Sequence, residues 1–232
     1  MKGRTIKLLA KKAKEASRRL ALVDTKVKNK ALVAMAAALR ENTAYIIREN
    51  EKDLRLAREK GLSSGFIDRL TLNRNRIIEM SDSLQQIAEL RDPVGEIIES
   101  RRRPNGLLIK KVRVPIGLIL IIYESRPNVT IDVAALCIRS GNVCVLRGGS
   151  DALYTNICLV NLIHHALNEF GLNEAIVQLL PTYCKHIKEM LTAVKYIDII
   201  IPRGSQQLID FVRENSMVPV IETGAGVCHT YV

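Results

Sequence analysis

Residues 116–150 read IGLILIIYESRPNVTIDVAALCIRSGNVCVLRGGS, and the fold turns on how this stretch is read. Gly117–Tyr123 and Val143–Leu146 are short, continuous apolar runs, and between them lies a polar turn, ESRPNVT, followed by a helical pattern around 130–140. A strand apolar at every position is buried on both faces, whereas a one-sided strand alternates apolar with polar. Two such runs joined through a helix therefore predict neighbouring parallel strands. The same alternation continues downstream: apolar runs at Ile176–Leu180, Ile197–Ile201 and Val218–Ile221 are separated by helical patterns around 151–169, 183–193 and 206–214. The expected fold class is α/β, with a Rossmann-like parallel sheet carrying helices on both faces, over residues 115–232.

Upstream of this core the pattern changes twice. Ile6, Leu9, Ala13, Ala16 and Leu20 recur at spacings of three and four, which is a helical stripe over 4–22. Asp24 is placed to cap a second helix carrying Leu32, Met35 and Leu39. A third, from about Asn42 to Lys60, stops at Gly61, and another runs from about Asn73 to Leu90. Residues 1–92 thus read as the N-terminal helical part of the same domain. Over 93–114, the β-prone runs Val94–Ile98 and Leu107–Val112 flank RRRPNG, where Asn105-Gly106 supplies positive backbone angles. This predicts a β-hairpin, either an oligomerisation arm pairing through an exposed edge or a plain surface hairpin.

The net charge of +11 is concentrated at the start of the chain, with 17 Lys and Arg against 7 Asp and Glu in residues 1–60. These charges surround helical apolar positions, and with three Phe and no Trp there is little for bases to stack on. They read as solvated helix faces, and no nucleic-acid partner is expected. The longest conspicuous apolar run, Ile116–Tyr123, has the length of a strand and not of a membrane span. The basic N-terminus lacks the apolar block of a secretory signal, so no membrane association and a cytoplasmic location are expected. Five cysteines without paired C-x-x-C spacing read as reduced thiols, with no metal site.

In parallel sheets ligands gather at the carboxyl ends of the strands. Three of the segments found there, RGGSDA (147–152), PRGSQQ (202–207) and ETGAG (222–226), contain glycine. In RGGSDA the glycines permit close backbone approach and Ser150 is placed to cap the following helix. In PRGSQQ, Arg203 adds a guanidinium and Ser205 a second cap. Such turns suit a phosphate-bearing ligand such as a dinucleotide, and equally ordinary loop chemistry. The G-x-G-x-x-G fingerprint is absent.

The ordered segments DPVG (92–95), VPIG (114–117), IYESRPNVTIDVAALCIRSGN (122–142), LRGGS (146–150), YIDIIIPRGS (196–205) and VCHTYV (227–232) resemble the gamma-glutamyl phosphate reductase family, within the aldehyde dehydrogenase superfamily. The resemblance implies reduction of L-glutamate 5-phosphate with NADPH to L-glutamate 5-semialdehyde and phosphate, the second step of proline synthesis from glutamate. It implies that Asn128 helps to stabilise the oxyanion, an amide donor being what a tetrahedral intermediate needs; a capping Asn is the alternative. It places Arg147 on the adenosine ribose with Gly148, Gly149 and Ser150 lining the same turn, and Gly204 and Ser205 beside the cofactor diphosphate. Glu222 aligns with the general base, with a structural or cofactor-contact role as its alternative. Arg126 is a candidate to hold a substrate carboxylate or phosphate, or to brace the turn. The nucleophilic cysteine belongs to a catalytic domain beyond VCHTYV, so none of Cys137, Cys144, Cys158 and Cys184 is expected to serve. Cys228–His229 is a poor candidate, because successive side chains in an extended segment face opposite ways. A homo-oligomer and an association with glutamate 5-kinase follow from the resemblance as well. The alternative function is a non-catalytic dinucleotide-binding or regulatory fragment.

Overall fold

A computed structural model describes residues 3–181 and 184–222. Five helices come first: α1 (Gly3–Leu20), α2 (Thr25–Glu41), α3 (Thr43–Glu59), α4 (Ser64–Leu70) and α5 (Arg74–Glu89). An antiparallel ribbon, β1 (Ile97–Arg102) and β2 (Leu108–Val112), leads into an alternating core. That core runs β3 (Leu118–Tyr123), α6 (Asn128–Arg139), β4 (Val143–Arg147), α7 (Leu153–Glu169), β5 (Val177–Leu179), α8 (Cys184–Leu191), β6 (Ile199–Arg203) and α9 (Gln206–Asn215).

The sheet is parallel, in the order β5-β4-β3-β6. All six residues of β3 are buried, as its unbroken apolar sequence requires of a central strand. Leu118 pairs with Val143 on one side and Ile119 with Ile199 on the other. The chain steps from β3 through α6 to β4 and through α7 to β5, then α8 carries it back across the sheet to β6. Right-handed crossovers put α8 on the face opposite α6 and α7. α1 lies with α8 and touches β3, β4 and β5, whereas α2, α3 and α5 stack outside α6 and α7. One continuous apolar core joins the early helices to the sheet, from Ala10 and Leu32 to Leu120, Val145 and Ile200.

A buried ion pair fixes the passage from helices to ribbon. Lys28, 1% exposed, meets Asp92 at 2.5 Å and donates to the Arg139 carbonyl at 3.2 Å. Desolvation pushes the Asp92 carboxyl up, but hydrogen bonds from Lys28, Thr25 and the Val94 amide outweigh it and hold its pKa below the usual carboxylate value. Removing Asp92 alone would strand a buried ammonium, at a cost of about 3–5 kcal/mol.

Several local expectations are corrected. The first hairpin strand is Ile97–Arg102 in place of Val94–Ile98, with a register shift between Ile97 and Glu99. Gly106, at φ +85°, takes the positive angle without Asn105, whose side chain accepts from the Leu107 amide instead. Every residue of both ribbon strands is exposed. Within the described residues Val218–Ile221 forms no strand, only one parallel bridge between Ile200 and Val220. The short helix α4, capped by Ser63, had no counterpart in the apolar pattern. No helix among the described residues is long and apolar enough to cross a membrane.

Candidate functional site

The chain reverses its direction of travel across the sheet between β3 and β6, so the crevice at their carboxyl ends is the topological switch point. Two turns meet there. Glu124, the first residue past β3, accepts from the Ser205 amide at 2.9 Å and from the Ser205 hydroxyl at 2.9 Å. Ser205 is also the N-cap of α9, accepting from the Leu208 amide. A Cβ on Gly204 would lie 2.6 Å from a Glu124 carboxylate oxygen, so glycine there lets the carboxylate settle over the turn. Next to Glu124, Ser125 has φ +25°, a rare value for a side-chain-bearing residue. The turn after β3 is thus held under local strain beside the crevice.

The turn after β4 is built differently. Ser150 is exposed and opens a single 3-10 turn, Ser150–Ala152, without capping α7, which corrects its expected role as a cap. The first amides of α7 are held by Asp53 of α3, which accepts from the Tyr154 amide at 3.1 Å, the Thr155 amide at 2.8 Å and the Thr155 hydroxyl at 2.6 Å. Asp53 is 1% exposed, and its burial raises its pKa more than those bonds lower it. Asn50, one turn earlier, donates to Thr155 and to the Leu70 carbonyl and accepts from the Leu72 amide. The space left by the absent Cβ of Gly148 is taken by the Asn156 amide and the Tyr123 ring. Tyr123, Thr130 and Asn156 form a buried hydroxyl-to-amide chain with both links at 2.7 Å. Gly149 faces the backbone of Ser125 and Glu124, so the two turns abut. Arg147 is half-buried, and its shielded Nε has no partner among the described residues.

At the start of α6, Asn128 is the first helical residue and its side chain makes no cap bond, so the capping alternative does not hold. Its amide Nδ2 points along the helix to Asp132, at 3.3 Å. Asn128, Asp132, Arg126 and Arg69 line both a cavity of about 1300 Å³ and an adjoining one of about 340 Å³. The larger reaches Glu124, Gly204 and Ser205 over an apolar floor that includes Val129 and Val133. Arg147, Gly148, Gly149 and Ser150 do not line it. Asp132, Arg69 and the α5 residue Ser83 escaped the sequence reading; the one signal was that Asp132 stands four residues after Asn128, on the same helix face.

Glu222 is exposed and pairs with Arg213 at 3.4 Å, outside this cavity. Cys137, Cys144 and Cys158 are buried free thiols. Cys144 is raised well above the usual thiol range by its hydrogen bond with Cys137 and by burial, and burial pushes Cys158 up to about 11. Neither is an activated thiolate. Cys228–His229 lies outside the described residues.

A nicotinamide dinucleotide presents a diphosphate, and the Glu124 carboxylate shows that the Ser205 donors at the head of α9 suit an anion. With Arg203 and Arg147 at the neighbouring strand ends, the residues present fit such a group. Comparison with known proteins agrees in fold and in sequence. The model of the aldehyde dehydrogenase family matches residues 2–223. A gamma-glutamyl phosphate reductase of Carboxydothermus hydrogenoformans is 52% identical over 225 residues, covering 97% of this chain and 54% of that protein. The crystal structure of the Thermotoga maritima gamma-glutamyl phosphate reductase superposes with a TM-score of 0.93 at 45% identity, over 95% of this chain and 54% of that one. The Saccharomyces cerevisiae enzyme of the same name gives a TM-score of 0.88 at 30% identity, over 95% of this chain and 56% of that one. The chain spans about half the length of these relatives.

Proposed function

Because the chain belongs to the aldehyde dehydrogenase family, we propose that it supplies the cofactor-binding part of a gamma-glutamyl phosphate reductase. The reaction proposed is the NADPH-dependent reduction of L-glutamate 5-phosphate to L-glutamate 5-semialdehyde and phosphate, in proline biosynthesis. The observation that carries this reading is the switch-point crevice, where the Gly204–Ser205 turn already holds an anion and one cavity runs from it to the Asn128 amide.

In this reading Gly204 and Ser205 receive the cofactor diphosphate once Glu124 turns away, and Arg147, with Gly148, Gly149 and Ser150, lies toward the adenosine ribose. The bound cofactor supplies the hydride. Asn128 offers an amide N–H where negative charge develops on the acyl oxygen; the amide has two N–H bonds, and the one donated to Asp132 fixes its orientation. Arg126 holds a charged end of the substrate. Glu222, tied to Arg213 on the surface, has a structural role in preference to that of a base. None of the three buried cysteines described above is assigned as the attacking thiol, and in this reading the chain by itself is expected to turn over no substrate. A cytoplasmic setting, a homo-oligomer using the exposed ribbon, and association with glutamate 5-kinase complete the proposal.

The test is titration of the purified chain with NADPH, followed by nicotinamide fluorescence. Saturable binding weakened by Ser205→Ala is expected. An unchanged spectrum, or equal binding by the variant, would overturn the cofactor assignment. Semialdehyde-dependent NADP reduction in the presence of phosphate should be at background; turnover would show that the chain carries its own nucleophile.

A further inference from the structure

Where the two cavities join, the charges are arranged in a way that the cofactor reading leaves unexplained. Asp132 lies half-buried on α6 and, among the described residues, accepts from Asn128 Nδ2 at 3.3 Å and from the Ser83 hydroxyl at 3.5 Å. No basic side chain among the described residues neutralises it: desolvation raises its pKa, and the two hydrogen bonds that lower it both come from neutral groups. A partly buried carboxylate whose two partners are both neutral keeps its charge uncompensated, and a cation brought by a ligand would pair with it. Arg126 and Arg69, both exposed, line the same two cavities and meet no carboxylate among the described residues; the Arg69 Nε donates to the Gly65 carbonyl. The neighbouring Arg76, by contrast, is already committed to Asp68 at 2.8 Å. Of the charged residues common to both cavities, Arg69 and Arg126 are cations and Asp132 is the anion, and they do not close on one another; Glu79 and the Arg76–Asp68 pair line the smaller cavity alone.

That pattern is complementary to a zwitterion. A phosphate alone would be drawn by the arginines and repelled by Asp132, whereas an α-amino acid head brings an ammonium for the carboxylate and a carboxylate for the planar guanidinium fork. We propose that this junction is the subsite for the amino-acid end of the substrate, with Asp132, steadied by Ser83, receiving the α-ammonium and Arg126 and Arg69 the α-carboxylate. From there the larger cavity runs past Val129 toward Gly204 and Ser205, so a head group anchored at the junction leaves its side chain directed at the crevice. Asp132 has a second effect as a positioning residue, since the Asn128 amide is oriented by it. The proposal rests on the reductase reading for the substrate's class, and adds the residues that select an amino acid over a plain dicarboxylate.

The experiment is calorimetric titration of the full chain with three probes: L-glutamate, glutarate, which lacks the ammonium, and 4-aminobutyrate, which lacks the α-carboxylate. L-Glutamate should bind about tenfold or more tighter than either, as loss of one charge-assisted contact implies. Asp132→Asn should abolish the preference for L-glutamate over glutarate, weakening the first and relieving the repulsion on the second, and Ser83→Ala should weaken L-glutamate severalfold with near-ultraviolet dichroism intact. Equal affinity for the three probes, no binding of L-glutamate, or an Asp132→Asn variant that still discriminates would each overturn the assignment. If Asp132→Asn fails to fold, Ser83→Ala and Arg126→Lys decide: parent-like discrimination in both sinks it. NADPH titration of the same preparations separates the two readings. Cofactor binding without head-group discrimination removes this subsite alone, and discrimination without cofactor binding removes the cofactor assignment alone.

Discussion

The turns after β4 and β6 are nearly the same in sequence, Arg147-Gly148-Gly149-Ser150 and Arg203-Gly204-Ser205, yet they are built in opposite ways. After β6 the serine caps its own helix and offers its amide and hydroxyl to a surface carboxylate. After β4 the serine caps nothing, and the helix is capped by a buried aspartate from α3. The first arrangement leaves its donors and their carboxylate at the surface; the second has sealed its carboxyl into the core. Similar turn chemistry therefore does two jobs, and what separates them is whether the partner carboxylate is in reach of water.

Four measurements press on that difference. Asp53→Ala strands the Tyr154 and Thr155 donors inside the protein, and a loss of about 3 kcal/mol is expected in urea unfolding; a change below 1 kcal/mol would mean that the α7 cap is dispensable. Gly148→Ala drives a Cβ to within 2.3 Å of the Asn156 amide and should lower stability by about 2 kcal/mol, whereas Gly204→Ala meets the flexible end of Glu124 and should cost under about 1 kcal/mol. If the two alanines cost the same in thermal melts, the turns are equally rigid and the contrast fails. Ser205→Ala removes a working cap and should cost about 1 kcal/mol, against less than about 0.5 kcal/mol for Ser150→Ala. Glu124→Gln should move stability by no more than about 0.5 kcal/mol but tighten NADPH severalfold, since it withdraws the resident charge from the head of α9; an unchanged dissociation constant would show that the carboxylate does not compete with the cofactor.

The parts of the fold legible in the sequence are those specified locally. β3 and β4 emerge within a residue or two of the expected bounds, because a doubly buried strand is written as an unbroken apolar run. Val218–Ile221 is a short apolar run that carries Pro219, which has no N–H to give a ladder, and it makes one bridge to Ile200. Ser205 was readable as a cap because a serine ahead of a helix normally is one; Ser150 was misread because its competitor, Asp53, stands about a hundred residues away in sequence. The candidate site divides along the same line. Asn128, Arg126 and Ser205 sit in recognisable segments, whereas Ser83 and Arg69 reach the cavity through the packing of α5 against α6 and of α4 against α3, which no periodicity in their own segments encodes.

The exposed ribbon also implies that the chain assembles on two clocks. Arg102 and Leu108 pair across one tight turn, so β1 and β2 can zip on the microsecond scale, on the order of 1–10 μs for a hairpin. Pairing Ile119 with Ile199 must wait until two strands and three helices of intervening chain have found their places, and such non-local contacts slow the search. Since nothing in the ribbon is buried, its early closure does little to commit the rest of the chain. The rate-limiting ensemble should contain β3 and β4 docked on α6, with β6 arriving last and creating, in that step, the crevice between β3 and itself.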